Sequence, residues 1–525
     1  MPRHKSWFWL AALAAACFFD FLFWKKPFGV SFVIWTTALL GVGYLLAWRE
    51  GKRPAAVSIL LSILVLAFAF VPAWRNEPFT RVFSVLLALS GMLLLTATFL
   101  SGHWPFYRMW DYLKEMTLAM VGGVSRAILM ASKNQNPPPL DQPVKKSFGR
   151  KALPVLRGVL IAVPVVTLMA ILLSSADPIF GDWLKKVLDL EKLPEYLFRL
   201  WYVLMIGSIL VGIYLHAILP NKTEERPDPQ KPWMRPFLGW TETGIILGAV
   251  DALFLAFVFI QIRYLFGGMV NINETGYTFS EYARRGFGEL VAVAVLSMML
   301  YLCLNTITKR ENRGANLGFS VVSILLMANV LVILFSSLQR LLLYESAYGF
   351  SQLRTYTHVF IYWLGGLIVM TVILELLRKR GHFALALLIS IIGFGATLAV
   401  MNVDAFIATQ NVERATAGEE LDIQYLSSLS VDAVPFMVDK YNDPTLTPKV
   451  KDALGSALAC RQVLLDDPTK KSWQGFNLGE TNAYRLLQEN RKTWSQHNVF
   501  QSSDWGWSFR LNGVEIPCIG SVWMD

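Results

Sequence analysis

Ile245-Ile246-Leu247-Gly248-Ala249-Val250-Asp251-Ala252-Leu253-Phe254-Leu255-Ala256-Phe257-Val258-Phe259-Ile260 sets one carboxylate among fifteen uncharged, mostly large apolar residues. A helix in water keeps a polar face, and this stretch has none. It is also too long for a buried strand. With its flanks it supplies the roughly 20 residues that a helix needs to cross a hydrocarbon layer about 30 Å thick. Runs of the same kind fill most of the chain. They predict spans at 7–24, 28–48, 54–73, 82–100, 152–175, 197–219, 242–266, 287–308, 316–338, 358–378 and 382–401. The expected fold is therefore an all-α polytopic membrane protein of about eleven transmembrane helices, with a small, mainly helical C-terminal soluble domain.

Composition agrees. Apolar residues make up 54% of the 525 and charged residues only 16%, against about 25% in soluble proteins. The net charge of +10 would suit nucleic acid, but its distribution argues otherwise. Residues 402–525 hold 11 Lys/Arg and 16 Asp/Glu, so the membrane part carries all of the surplus. Those cations sit in short loops beside apolar runs, where they set orientation. With the N-terminus inside, inner segments hold 23 basic residues and outer loops 11. The expected layout is a four-helix N-terminal segment (1–100), an inner aromatic, basic and Pro-rich loop (101–151), a seven-helix core (152–401) and an extracytoplasmic domain (402–525). Arg3 and Lys5 before an apolar run that ends near Cys17 resemble a lipoprotein signal only faintly, so the first span is expected to stay uncleaved.

Chemistry has few carriers. No P-loop, dinucleotide fingerprint, zinc-protease motif or nucleophile elbow occurs in a suitable context, and the six histidines are dispersed. No metal site or cofactor is expected. A charge near the bilayer centre costs at least about 2.5 kcal/mol, which makes Asp251 the foremost candidate. It should face protein or water, as a hydrogen-bonded packing residue, as a proton or cation relay, or in contact with a substrate. Asn329, in mid-span of the ninth helix, suits interhelical bonding. Glu242 opens the Asp251 span and suits its dipole. Asp20 stands near Lys25 and Lys26, and Glu375 near Arg378 and Lys379, so both are expected in interfacial ion pairs. Ahead of the eighth span, Glu281, Arg285 and Glu289 share a helical face. Arg284 and Arg285 with Tyr277 and Tyr282 could grip a phosphate or carboxylate headgroup, or simply anchor a helix start.

Two stretches carry a family resemblance. One is Tyr277-Thr278-Phe279-Ser280-Glu281-Tyr282-Ala283-Arg284-Arg285-Gly286-Phe287. The other runs from Asn402-Val403-Asp404-Ala405-Phe406 through Asn411-Val412-Glu413-Arg414 to Tyr425-Leu426-Ser427-Ser428-Leu429-Ser430-Val431-Asp432-Ala433-Val434-Pro435. They resemble bacterial multi-pass membrane proteins known as domain of unknown function 4173, with the related 4153 group. Ala176-Asp177-Pro178-Ile179-Phe180 fits the same pattern. The resemblance implies a bacterial cell-membrane protein and carries no activity, cofactor or catalytic residue with it.

Three functions stay open. An envelope-associated scaffold or signalling component would use 402–525 to meet an envelope protein or lipid. A secondary transporter would use Asp251 and other buried polar groups, although no inverted repeat is evident. A membrane enzyme acting on a lipid-linked substrate would use the arginine pair. The partners implied are the bilayer and an envelope protein or lipid, not nucleic acid. Cys460 and Cys518 alone among four cysteines lie outside the spans. On an exported domain they could form a disulfide or stay two separate thiols.

Overall fold

The structure is a computed structural model. It describes residues 5–132, parts of 158–180, and then 193–219, 234–265, 286–310, 312–465, 472–497, 499–502, 506–511 and 514–518. Among these residues ten helices are long and apolar enough to cross a membrane. They include α1 (Lys5–Phe23), α2 (Val30–Arg49), α3 (Ala56–Trp74) and α4 (Pro78–Thr98). After α5 (Met109–Ser132) come α6 (Leu193–Ile218), α7 (Trp240–Leu265), α8 (Phe287–Ile307), α9 (Arg313–Tyr348), α10 (Gln352–Leu376) and α11 (Phe383–Met401). All except α5 qualify as spans. Most of the expected fifth span, 152–175, lies outside the described residues, although those described between 158 and 180 are helical apart from Asp177.

The spans form two bundles. Phe8, Leu39, Leu61, Leu95, Val211 and Leu215 belong to the core of α1–α4 and α6. Leu247, Met298, Phe319, Val330, Leu364 and Ile368 belong to the core of α7–α11. Helix α4 packs on α11 and joins the two. Helix ends follow local chemistry. Glu77 caps α4, its carboxylate accepting from Phe79 N (2.8 Å) and Thr80 N (2.7 Å), with Pro78 in the first turn. Asn312 caps α9 by accepting from Ala315 N at 2.7 Å.

Helix α5 opens with the aromatic, basic wording of the 101–151 loop, and it is packed rather than free. Gly122 and Gly123 lie against α6, where a Cβ on Gly212 would collide with the Gly123 backbone. Such small-residue contacts let helix backbones approach closely. Arg126 Nη1 then donates to Leu215 O at 3.1 Å.

Asn402 turns the chain out of α11 in a left-handed conformation, φ 54°, which Asn tolerates better than most residues. The tail follows as α12 (Val403–Thr416), α13 (Ile423–Ser428), α14 (Val434–Tyr441), α15 (Pro448–Leu464), α16 (Leu478–Glu489) and α17 (Arg491–Trp494). A three-stranded antiparallel sheet closes it: β1 (Val499–Ser502), β2 (Gly506–Leu511) and β3 (Val514–Pro517), with Phe509 opposite Val499 and Ile516. The amphipathic stretch near Asp422–Val438 buries Leu426, Val434, Met437 and Val438 within the tail's own core. That core also takes in Val359 of α10 and Leu398 of α11, so tail and membrane helices share one apolar cluster.

The tail also meets the first bundle. Val30 N donates to Phe476 O at 3.0 Å, and Asn477 Nδ2 donates to Pro72 O (2.9 Å) and Arg75 O (3.0 Å). At Gly29 a Cβ would stand 2.7 Å from Gly475 C and O and from Phe476 O, all backbone atoms that cannot rotate away. Gly29→Ala is expected to pry this seat open at about 1–3 kcal/mol. Faster hydrogen exchange at Val30 and Phe476, with α12–α15 unchanged, is the expected readout. Unchanged exchange at both would refute the contact.

Candidate functional site

Of the residues singled out from sequence, the structure brings Asp251 and Asn329 together. Both are buried, and Asn329 Nδ2 donates to Asp251 Oδ1 at 3.1 Å across the α7–α9 seam. Asp251 Oδ2 is buried with no hydrogen-bond partner among the described residues. Further along the same seam Ser336 Oγ donates to Gln261 Oε1 at 3.1 Å. These bonds hold two helices in register where lipid offers no competing donor. Glu242 accepts from Gly239 N at 2.6 Å, completing the start of α7. Tyr277, Tyr282, Arg284 and Arg285 lie outside the described residues. Cys460 and Cys518 are joined as a disulfide, Cα atoms 5.5 Å apart, tying α15 to the end of β3.

Both acids take partners other than the expected ones, Asp20 on a distant helix and Glu375 five positions along the chain. Asp20 bonds Arg199 and Tyr202 on α6, with Arg199 Nε at 2.9 Å, while Lys25 pairs with Glu195 at 2.7 Å. Helix α1 ends at Phe23, so Lys25 and Lys26 fall beyond its face. Glu375 is almost fully buried and leaves Arg378 and Lys379 for Arg380, whose Nε and Nη2 each donate to it at 2.5 Å. Tyr301 OH (2.9 Å) and Ser320 Oγ (2.8 Å) complete its shell.

A dense polar site among the described residues was not legible from sequence. It lies where the tail sits on the helix ends. Asp432 Oδ2 accepts from Asn76 N (2.6 Å) and Glu77 N (3.0 Å), and Asn402 Nδ2 donates to Asp432 O at 3.1 Å. Asp404, fully buried, accepts from Ser430 N at 2.7 Å and Gln352 Nε2 at 2.8 Å. Glu77 accepts from Tyr356 OH at 2.5 Å. Arg75 stacks on Trp74, its guanidinium 4.1 Å from the ring centre, and its Nε donates to Ala399 O at 2.8 Å. Beside this seat opens a cleft of about 470 Å³ lined by Trp74, Arg75, Asn402, Asp432, Asn482 and Arg485. Asp432 Oδ1 lacks a hydrogen-bond partner among the described residues. Asp404 and Asp432 stand in the wording that carries the family resemblance. Their partners lie on other helices, so spacing alone gave them no role.

Burial pushes the Asp432 carboxyl up from about 3.8 to about 6; Asp404 pushes the same way, while two backbone N–H groups and Arg75 pull it down. A folded value above the unfolded one gives stability that is complete below about pH 4 and lost as pH rises through 6. Acidification from pH 7.5 to 5, which crosses about one unit of that shift, is therefore expected to tighten the tail's seat by about 1.4 kcal/mol. Asp432→Asn should flatten that dependence in a thermal-melt series. An unchanged pH profile in that variant would assign the effect elsewhere.

No curated protein and no solved structure matches the chain. The family comparison does match, and it covers most of the spans, the Asp251–Asn329 pair, Glu77, Asp404 and Asp432. Over residues 55–439, more than half its length, the chain belongs to the family described as a domain of unknown function, DUF4153.

Proposed function

We propose that this integral membrane protein is an envelope-associated scaffold or signalling component, which holds its tail domain rigidly against the membrane and presents the Asp432–Arg485 cleft to a partner. The observation that carries this reading is the seat itself. A tail acting as a loose appendage needs no buried carboxylates bonded to the backbone of distant helix ends. Here Asp432 reaches Asn76 and Glu77 of the first bundle, and Asp404 reaches Gln352 of the second. In this reading the tail is extracytoplasmic, on the side opposite the basic loops of a bacterial cell membrane. The Cys460–Cys518 bond favours that placement, since disulfides persist in oxidising compartments. The wording at 402–435 favours the 4173 branch of related proteins.

Transport is the second reading, resting on the half-satisfied Asp251 in mid-bundle. Complementation of a deletion strain separates the two. Under the scaffold reading Gly29→Ala and Asp432→Ala lose envelope integrity, whereas Asp251→Asn retains it at equal expression. Loss with Asp251→Asn alone would overturn the scaffold and favour transport.

A further inference from the structure

The end of the bundles opposite the tail holds a second cleft, formed where α5, α8 and the 380–384 segment meet. Its volume is about 760 Å³, within the range of about 300–1,000 Å³ usual for small-ligand sites. One wall is apolar: Met109 and Leu113 of α5 face Met299 and Leu302 of α8, and the first three are largely exposed. The other end is basic, with Arg108, Arg310 and Arg380 all on the lining.

The three arginines differ in how their charge is met. Arg380 is matched by Glu375, and Arg108 by Asp111 at 2.9 Å. No carboxylate pairs with Arg310 among the described residues. Its Nη2 donates to Asn305 O (3.1 Å) and Asn305 Oδ1 (2.6 Å), both neutral acceptors. Its Nε is buried without a partner among the described residues. The guanidinium carbon sits over Phe319, 3.7 Å from the ring centre. Arg310 stands in the short turn between α8 and α9, just past the spans. Burial and the nearby Arg380 pull its pKa down to about 10 against the opposing pull of Glu375 and Tyr301, which still leaves it protonated at neutral pH. A half-buried cation whose hydrogen bonds go only to neutral acceptors is incomplete without an anion. Guanidinium suits a phosphate, which it can meet through two parallel N–H bonds. A cation at a span end and an apolar wall running into the hydrocarbon layer match the two parts of one molecule.

We propose that this cleft binds an anionic phospholipid, its phosphate on the Arg310 guanidinium and an acyl chain along the Met109–Leu302 wall. The ligand is a lipid rather than a free phosphate because the wall is apolar and open to lipid, and soluble phosphate would leave it unfilled. The site is independent of the tail's cleft, since it lies at the other end of the spans.

The test uses the full-length protein in nanodiscs of phosphatidylcholine, alone or with phosphatidylglycerol, and counts retained lipid by native mass spectrometry. Wild-type protein should retain phosphatidylglycerol selectively. Arg310→Gln should lose that retention about tenfold, the loss expected for one charge-assisted contact. Leu113→Trp, a bulky change at an exposed wall position, should also lower retention while leaving the core and Arg310 intact. Arg49→Gln removes a basic residue at the same end of the first bundle, stacked on Trp7, and should retain lipid as wild type does. Equal retention in wild type and Arg310→Gln overturns the proposal. Equal loss in Arg49→Gln also overturns it, by showing general surface charge. Inorganic phosphate that displaces the lipid at millimolar levels, or binds with the same Arg310 dependence, overturns the lipid assignment.

Discussion

Arg380→Ala is expected to lower stability by about 3–5 kcal/mol, the usual cost of leaving a buried charge without its partner. The stranded group is Glu375. Arg380 supplies two of its four contacts, at 2.5 Å each, in a two-pronged pairing, and Tyr301 and Ser320 supply the others. Arg380 Nη2 also donates to Asn316 Oδ1 at 3.1 Å and Ser320 Oγ at 2.9 Å. The cluster thus pins α8, α9 and α10 to the turn that begins α11. Without Arg380 a carboxylate remains among hydroxyls at the edge of an apolar bundle. Thermal unfolding in detergent should show the loss. Glu375→Leu in the same chain should restore most of it, because removing both charges removes the stranded one. A double variant no more stable than Arg380→Ala would show that the cluster stabilises through geometry rather than charge.

That cluster also shows where sequence reading runs out. Arg378 and Lys379 follow Glu375 at helical spacing, which favours them as partners only if the helix continues. Instead α10 ends at Leu376, and Arg378 takes a positive φ of 56°. The left-handed turn carries Arg378 and Lys379 off the helix face and brings Arg380 back onto it. Asp20 teaches the same lesson, since α1 stops at Phe23 and its acid turns to Arg199 on a distant helix. Span positions were legible because bilayer thickness imposes a long, uninterrupted apolar signal that needs no tertiary knowledge. Asp251 and Asn329 were legible one at a time, because each is costly in lipid. Their pairing follows from packing of α7 on α9. The tail's seat left no local trace. Asp432 binds backbone N–H groups some 355 positions earlier in the chain, and a backbone donor has no sequence identity to read.

Reducing the Cys460–Cys518 bond is expected to release the sheet while leaving the rest of the tail seated. The bond closes a segment of 58 positions, and a loop of that length stabilises by about 4 kcal/mol in the chain-entropy model. Its effect should be local because the tail has two cores. Ala453, Cys460, Phe509, Leu511 and Cys518 form a small cluster between α15 and the sheet. The larger one, with Val403, Ile407, Leu426, Val434 and Leu454, continues into Val359 and Leu398 of the membrane helices. The small cluster is a thin core for three short strands, and of these strands β1 alone, through Val499, also packs on the larger core among the described residues. Cys518 N still donates to Trp507 O at 2.8 Å, but one backbone bond does not replace a covalent tie. Limited proteolysis of the full-length protein with and without reductant should cut first within 499–517 and spare 403–464. Cys460→Ser should reproduce the reduced pattern, and reductant should then add nothing. Identical fragments in all four conditions would show that packing of Phe509 and Leu511 alone holds the sheet, and the bond would then be dispensable to the tail.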